Sequence, residues 1–186
     1  YAGDPLKVEK SPELLNQLCC SGYDICFVDF VSGEAYIESN GEALYSILVQ
    51  LHDKLVENNS TEKMVVCGAS MGGLVARYAI NKLEAEGHTD WVEKFISFDS
   101  PQMGANIPLS VQYTLKHLKG LNADLEAKYN KLVCPSASQL VNYSCLETNL
   151  SSPIVYTVPS PSIERSVFLN NPYMGWPQHC TKIAIS

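Results

Sequence analysis

One serine lies in a short glycine-rich stretch that carries the strongest chemical signal in the sequence. The stretch Gly68-Ala69-Ser70-Met71-Gly72 follows an apolar run, KMVVCG, and precedes a helical pattern from Leu74 to Leu83. A serine on a sharp strand-to-helix turn exposes its hydroxyl, which suits a nucleophile that attacks a carbonyl carbon. We expect glycine to be required at both Gly68 and Gly72, because a side chain would meet neighbouring backbone. A purely structural turn is the alternative.

The helix that follows Ser70 supplies a second element of this chemistry. The first N–H groups of a helix have no partner inside the helix, so they favour negative charge placed before the first turn. The backbone N–H of Met71 is therefore predicted to stabilise the oxyanion that forms when Ser70 attacks a carbonyl group.

A serine nucleophile also needs an acid, and the sequence offers one candidate near the same sheet edge. Asp99 ends the apolar run KFISFD. Parallel strands present their ligands at their carboxyl ends, where Ser70 is also expected. Asp99 is thus a candidate catalytic acid. A hydrogen bond from Asp99 to the Ser-Pro turn beside it is the alternative interpretation.

The base is harder to assign among the four histidines. His117 lies on a segment that could reach over the site, and His179 comes just before the apolar run KIAIS. A solvated or packing role is the alternative for each of them. His52 lies inside a predicted helix, and His88 lies in a turn at the opposite edge. A serine without a base is not activated, so the base is the missing part of the predicted site.

Apolar runs and helical patterns alternate in the order of a parallel sheet with crossover helices. Strands are predicted at residues 23–30, 63–68, 94–99 and 182–186, and helices at 11–20 (with Ser11 as N-cap), 41–56 and 74–83. Nearly continuous apolar strands predict a sheet that is buried on both faces. The predicted fold class is α/β, with a mostly parallel sheet.

Residues 104–178 interrupt this alternation within a predicted single domain of residues 1–186. Helical patterns come first, and a stretch rich in proline and serine follows them. The segment is too long for an ordinary connection, so we interpret it as an insertion above the sheet and a candidate lid. A surface elaboration with only packing contacts is the alternative.

Composition excludes some classes of partner. The formal net charge of −7 argues against nucleic acid, and no run approaches the length of a membrane span. No cysteine or histidine spacing is typical of a metal site, and none is expected. Sequons at Asn58, Asn59, Asn142 and Asn149, with a disulfide that Cys134 and Cys145 could form, favour a secreted or luminal protein. A cytoplasmic location is the alternative.

The run CGASMGGLVARYAI followed by KFISFDSPQMGANIPL resembles the esterase/lipase branch of the α/β-hydrolase superfamily. The resemblance covers most of residues 11–110 and the last dozen residues. It implies that Ser70 is the nucleophile and Met71 the first oxyanion donor. It also implies a catalytic acid. Some lipases carry that acid after the strand that KFISFD resembles, and Asp99 is the residue at this position. The family's second oxyanion donor and terminal histidine have no match, so the core looks incomplete.

These observations predict a serine hydrolase that cleaves carboxylic esters, including lipid esters, through an acyl-enzyme on Ser70. The expected partner is a small-molecule or lipid ester, and neither a metal nor a diffusible cofactor is needed. A non-catalytic binding module with an incomplete hydrolase fold is one alternative, and an acyltransferase using the same serine is another. Unpaired strand edges would favour self-association.

Overall fold

A computed structural model describes residues 12–144 and 163–186. The chain divides into two units, Tyr1–Gly33 and Glu34–Ser186. Within the two described ranges, no helix combines the length and the apolar character needed to cross a membrane. The predicted extents of the domain (1–186) and of the insertion (104–178) stay predictions.

The described part of the first unit contains helix α1 (Pro12–Cys20), as the sequence predicts. Gly22 follows it with a φ of +87°, and the predicted N-cap Ser11 lies outside the described residues. The strand predicted at residues 23–30 is wrong, because this segment has no strand conformation and its Phe27 is 66% exposed. Strand propensity yields a strand only where a neighbour accepts the backbone hydrogen bonds.

The second unit contains the sheet that the sequence predicts. Helix α2 (Ile37–Glu57) precedes β1 (Met64–Ala69), and α3 (Met71–Ala85) connects it to β2 (Val92–Phe98). Strand β3 (Thr181–Ile185) comes at the end, and the three parallel strands lie in the order β1-β2-β3. The α/β class and the parallel crossover are therefore confirmed.

Helix α3 covers one face of this sheet, and its apolar residues form the centre of the core. Val66 and Phe95, on the covered face, are almost fully buried, as are Leu74 and Ile80 of α3. Helix α2 packs on α3, where Gly41 leaves room for the ring of Tyr78. A Cβ at that glycine would lie 2.3 Å from the ring, so the sequence permits a close helix–helix contact.

Within the described ranges the other face of the sheet is not covered, so the prediction that both faces are buried is wrong for this part of the chain. Its apolar side chains are between 37% and 49% exposed at Val65, Phe98, Ile183 and Ile185. Cys67 of β1 is also exposed on this face. The reason is that α2 packs on α3, while the helices after β2 pack mainly on one another.

The described residues between β2 and β3 form four further helices: α4 (Leu109–Leu118), α5 (Ala123–Val133), α6 (Pro135–Leu140) and α7 (Ile163–Leu169). Single 3-10 turns follow α4 at Lys119–Leu121 and α7 at Pro172–Met174. The helical patterns predicted after residue 104 are thus confirmed. Most of the Pro/Ser-rich stretch, and Cys145 of the predicted disulfide, lie outside the described residues.

Candidate active site

Ser70 lies at the junction of β1 and α3 in a strained backbone conformation. Its φ is +51° and its ψ is −128°, and residues other than glycine rarely adopt such a φ. Its N–H donates to the carbonyl oxygen of Phe98 at 2.8 Å, which ties the turn to the end of β2. The residue is exposed, so the hydroxyl is open to a substrate. Strain of this kind clusters at functional sites.

Two glycines make the turn possible, Gly68 and Gly73. The sequence predicted Gly68 and Gly72, so one of the two positions differs. A Cβ on Gly68 would lie 2.3 Å from the carbonyl oxygen of Gly72, so a side chain is excluded there. A Cβ on Gly73 would lie 2.1 Å from Oγ of Ser100. A Cβ on Gly72 would meet nothing within 4 Å, so the predicted requirement for glycine at this position is wrong. The close approaches occur at Gly68 and Gly73.

Met71 is the first residue of α3, directly after Ser70. At this position the backbone N–H has no intrahelical partner, and the helix dipole favours negative charge. The N–H of Gly73 donates to the carbonyl oxygen of Ser70 at 3.0 Å, which fixes the start of the helix. The geometry suits the predicted oxyanion contact of Met71, whose role stays a prediction.

Asp99 leaves β2 at the same edge where Ser70 leaves β1. Ala69 and Phe98 are paired neighbours in the two parallel strands, so the residues that follow them start from adjacent positions, about 5 Å apart across the sheet. The backbone N–H of Asp99 donates to the carbonyl oxygen of Ile185 at 2.6 Å. Among the described residues, its exposed carboxylate accepts no hydrogen bond, so the Ser-Pro turn does not hold it.

The loop after β2 is fixed beneath the serine turn by polar contacts that the sequence did not reveal. Gln102 donates from Nε2 to Oγ of Ser97 at 2.9 Å, and Oγ of Ser100 donates to the carbonyl oxygen of Phe98 at 3.1 Å. Arg77 of α3 donates to the carbonyl oxygen of Gln102 at 3.4 Å. These contacts join α3 to the loop that carries Asp99.

Arg77 of α3 forms no ion pair with an acid among the described residues, and its contacts are with a ring and a backbone carbonyl. Its guanidinium lies 5.0 Å from the ring centre of Trp176 and contacts the Gln102 carbonyl. Burial lowers the pKa of Arg77. Its Nε atom is buried without a hydrogen-bond partner among the described residues. Arg77 therefore acts in the structure as a packing residue behind the site.

Arg165 of α7 fixes the far end of the same loop. It is buried, and its guanidinium donates to the carbonyl oxygens of Gln139 at 2.7 Å and Met103 at 3.1 Å. Gly104 has a φ of +88°, and a Cβ there would lie 2.4 Å from Nη2 of Arg165. No local pattern in the sequence signals this contact, because its partners are about 26 and 62 positions away.

Three of the four histidines lie at the edge of the sheet opposite Ser70. The N–H of His179 donates to Oε1 of Glu84 at 2.8 Å, near the end of α3. That end lies about 20 Å from Ser70, at 1.5 Å per helical residue. His52 and His88 each stack on Trp91, just before β2 begins, with ring centres 3.7 and 3.8 Å away.

His117 is the remaining histidine, and it is exposed on α4. Its ring lies parallel to that of Tyr113 on the same helix, at 6.3 Å. Within the described ranges, Oγ of Ser70 forms no hydrogen bond with any histidine. The structure therefore brings Ser70, Met71 and Asp99 to one edge of the sheet, and the position of the base stays a prediction.

The site defines a class: an α/β protein with a serine in a strained turn between a parallel strand and a helix, typical of serine hydrolases. Residues 32–132 match the model of a family described as "Putative serine esterase (DUF676)". The match spans more than half of the chain, so the chain belongs to this family. It includes Ser70, Met71 and Asp99 and ends before β3. No curated protein matches the chain.

Proposed function

We propose that the protein is a serine esterase that forms an acyl-enzyme on Ser70. The observation that carries this proposal is the conformation of Ser70, with a φ of +51° at the junction of β1 and α3. The family match over residues 32–132 supports the same chemistry. Backbone strain at an exposed serine whose turn depends on Gly68 and Gly73 is typical of functional sites.

In the proposed reaction, Oγ of Ser70 attacks the carbonyl carbon of the ester and loses its proton to a base. The N–H of Met71 stabilises the oxyanion, and the alcohol leaves with a proton when the tetrahedral intermediate collapses. Water then attacks the acyl-enzyme and releases the carboxylic acid. Asp99 is the proposed acid that orients the base. His117 is the first base to test, because the other three histidines lie at the opposite edge.

Lipid esters are the proposed substrate class within the esters. Met103, which lies in the loop after β2, is 81% exposed, and several apolar side chains of α4 and the turn after it are exposed too. These residues belong to the segment that leaves β2 at the serine edge of the sheet, and exposed apolar side chains there would accept an acyl chain. The measurement is a series of p-nitrophenyl esters, in which kcat/KM is expected to rise from acetate to medium-chain acyl groups. A fall with chain length would contradict the lipid proposal and leave the esterase proposal intact.

The test of esterase activity compares variants in p-nitrophenyl butyrate hydrolysis. Ser70→Ala is expected to abolish turnover above the uncatalysed rate, and Asp99→Asn to lower kcat by at least about a hundredfold. Ser46→Ala is the matched control, because Ser46 lies on the exposed side of α2, where its hydroxyl donates to the carbonyl oxygen of Glu42. Full activity in Ser70→Ala would overturn the proposal.

A further inference from the structure

The described sequon asparagines have very different surroundings, and only one is open. Asn59 lies in the turn after α2 with a φ of +54° and is exposed. Asparagine tolerates this left-handed conformation better than most residues. Among the described residues its side chain has no hydrogen bond, so its Nδ2 is available.

The side chains of the other two described sequon asparagines, Asn58 and Asn142, form contacts within the fold. Nδ2 of Asn58 donates to the carbonyl oxygen of Lys54 at 2.9 Å, which completes the end of α2. Nδ2 of Asn142 donates to Oδ1 of Asn106 at 3.0 Å. Oδ1 of Asn142 packs so closely on Gly104 that a Cβ there would lie 2.2 Å from it. A sugar on Asn142 would have to displace these contacts.

The hydroxyl groups of the two overlapping sequons also differ. The sequon of Asn59 ends at Thr61, which is exposed and forms no hydrogen bond among the described residues. The sequon of Asn58 ends at Ser60, whose Oγ accepts a hydrogen bond from the N–H of Glu62 at 3.2 Å. The glycan-transfer enzyme recognises the hydroxyl two positions after the asparagine. The free hydroxyl therefore belongs to the sequon with the free asparagine.

We propose that Asn59 is the acceptor of an N-linked glycan in a secretory compartment. In this reaction, Nδ2 of Asn59 forms a bond to C1 of a sugar carried on a lipid diphosphate. The bond from C1 to the diphosphate oxygen breaks, and the lipid diphosphate leaves as an anion. One amide proton passes to a base of the transferase. This site is separate from the proposed esterase chemistry and does not depend on it.

The position of Asn59 allows the glycan and the serine site to coexist. Asn59 precedes β1 (Met64–Ala69), whereas Ser70 follows it. A strand of this length separates the two ends by about 20 Å. A glycan at Asn59 would therefore shield the amino-terminal edge of the sheet and leave the approach to Ser70 open.

The test is to express the full chain behind a secretory leader in eukaryotic cells and to release glycans from the folded, secreted protein. Enzymatic deglycosylation in heavy-oxygen water converts each glycosylated asparagine to a labelled aspartate, which peptide mass spectrometry locates. We expect label at Asn59 and none at Asn58 or Asn142. An unlabelled Asn59, or label at Asn142 in folded protein, would overturn the proposal.

Two adjacent substitutions separate the overlapping sequons without changing either asparagine. Ser60→Ala removes the sequon of Asn58 and keeps that of Asn59, so the label should remain. Thr61→Ala removes the sequon of Asn59 and keeps that of Asn58, so the label should disappear. Retention of the label in Thr61→Ala would assign the glycan to Asn58 and contradict the proposal.

The same peptide should also be labelled in protein isolated from the cells that produce it. If the Asn59 peptide of that protein carries no label, the proposed secretory location is contradicted. None of these outcomes bears on ester hydrolysis by Ser70.

Discussion

At Ser70 the backbone holds a φ that costs about 1–3 kcal/mol for a residue other than glycine. The neighbours stabilise this conformation. The N–H of Ser70 is bound to Phe98, and its carbonyl oxygen accepts from Gly73. Both contacts are backbone contacts, so they do not involve the hydroxyl. The hydroxyl is therefore left free for chemistry while the turn is fixed.

The glycines at the turn provide a matched pair of substitutions. Gly68→Ala is expected to lower the free energy of unfolding by about 2–3 kcal/mol, because its Cβ would meet the Gly72 carbonyl at 2.3 Å. Gly72→Ala meets open space inside the first turn of α3, so it should leave stability unchanged or raise it by up to about 1 kcal/mol. Urea unfolding measures the free energy of unfolding of the two variants and of the wild type. Equal destabilisation would contradict the geometry of the turn.

At the scale of the elements, several helices are joined by side chains far apart in sequence. Helix α2 lacks a side-chain N-cap from its own start, and Oε1 of Gln139 on α6 accepts the N–H of Ile37 instead. Arg165 of α7 holds the loop at Met103 in a similar way. The candidate site is therefore supported by the segment that follows β2.

Arg165 offers a test of that support. Arg165→Met should lower the free energy of unfolding by about 3 kcal/mol, because buried carbonyl oxygens lose their donor. Arg165→Lys keeps the charge and some donors, so the loss should be smaller. Thermal unfolding of both variants measures the difference. A methionine variant as stable as the wild type would show that the guanidinium contacts contribute no net stability.

The α2–α3 interface predicts a pH dependence. The Lys82 ammonium lowers the pKa of Glu42, which also accepts a hydrogen bond from Tyr78 at 2.7 Å. A lowered folded-state pKa adds stability above the ordinary carboxyl pKa, about 4.3, and that stability is lost as the pH falls through the lowered value. Because the Glu42 side chain is 46% exposed, Glu42→Gln should cost only about 1 kcal/mol at neutral pH.

The control for this experiment is an exposed pair on α2. Lys54 and Glu57 have side chains 70% and 61% exposed, so Glu57→Gln should cost little at any pH. Urea unfolding at a series of pH values compares the two variants with the wild type. The Glu42→Gln difference should shrink as the pH falls below about 4.3 and disappear once the pH lies below the lowered pKa of Glu42. A difference that persists at lower pH would contradict the assignment to the Glu42 carboxylate.

Local patterns were enough to predict β1, α3, β2 and the serine turn, because each depends on neighbours within a few residues. They failed at residues 23–30, where strand formation needs a partner strand that composition does not reveal. The local pattern also placed the second required glycine at Gly72, whereas the structure requires it at Gly73. The atom that a Gly73 side chain would meet belongs to Ser100, which lies beyond the next strand. The contacts of Arg165 depend on the tertiary fold, so no spacing pattern could predict them.

For the whole molecule, the main consequence is an open apolar sheet face within the described residues. Phe98, Ile183 and Ile185 remain 38% to 49% exposed on this face. Strands β1 and β3 are also the two outer strands of the described sheet. Exposed apolar surface beside open strand edges favours association between chains.

This chain is therefore expected to self-associate in a concentration-dependent way. Ile183→Thr combined with Ile185→Thr should reduce the association, because threonine keeps strand propensity and removes apolar area. Leu121→Ser is the control, since Leu121 is 71% exposed and belongs to the turn after α4, outside the three strands. Sedimentation velocity over a range of concentrations measures the effect. A monomer at all concentrations would contradict the expectation.

The central claim, that Ser70 is an activated nucleophile in the folded protein, is tested most directly by labelling with a fluorophosphonate probe. Such a probe reacts with a serine that a base and an oxyanion site activate. We expect the folded chain to be labelled, the probe to map to Ser70 by peptide mass spectrometry, and Ser70→Ala to lose the label while Ser46→Ala keeps it. Folded protein that stays unlabelled, or a label that persists in Ser70→Ala, would contradict the account.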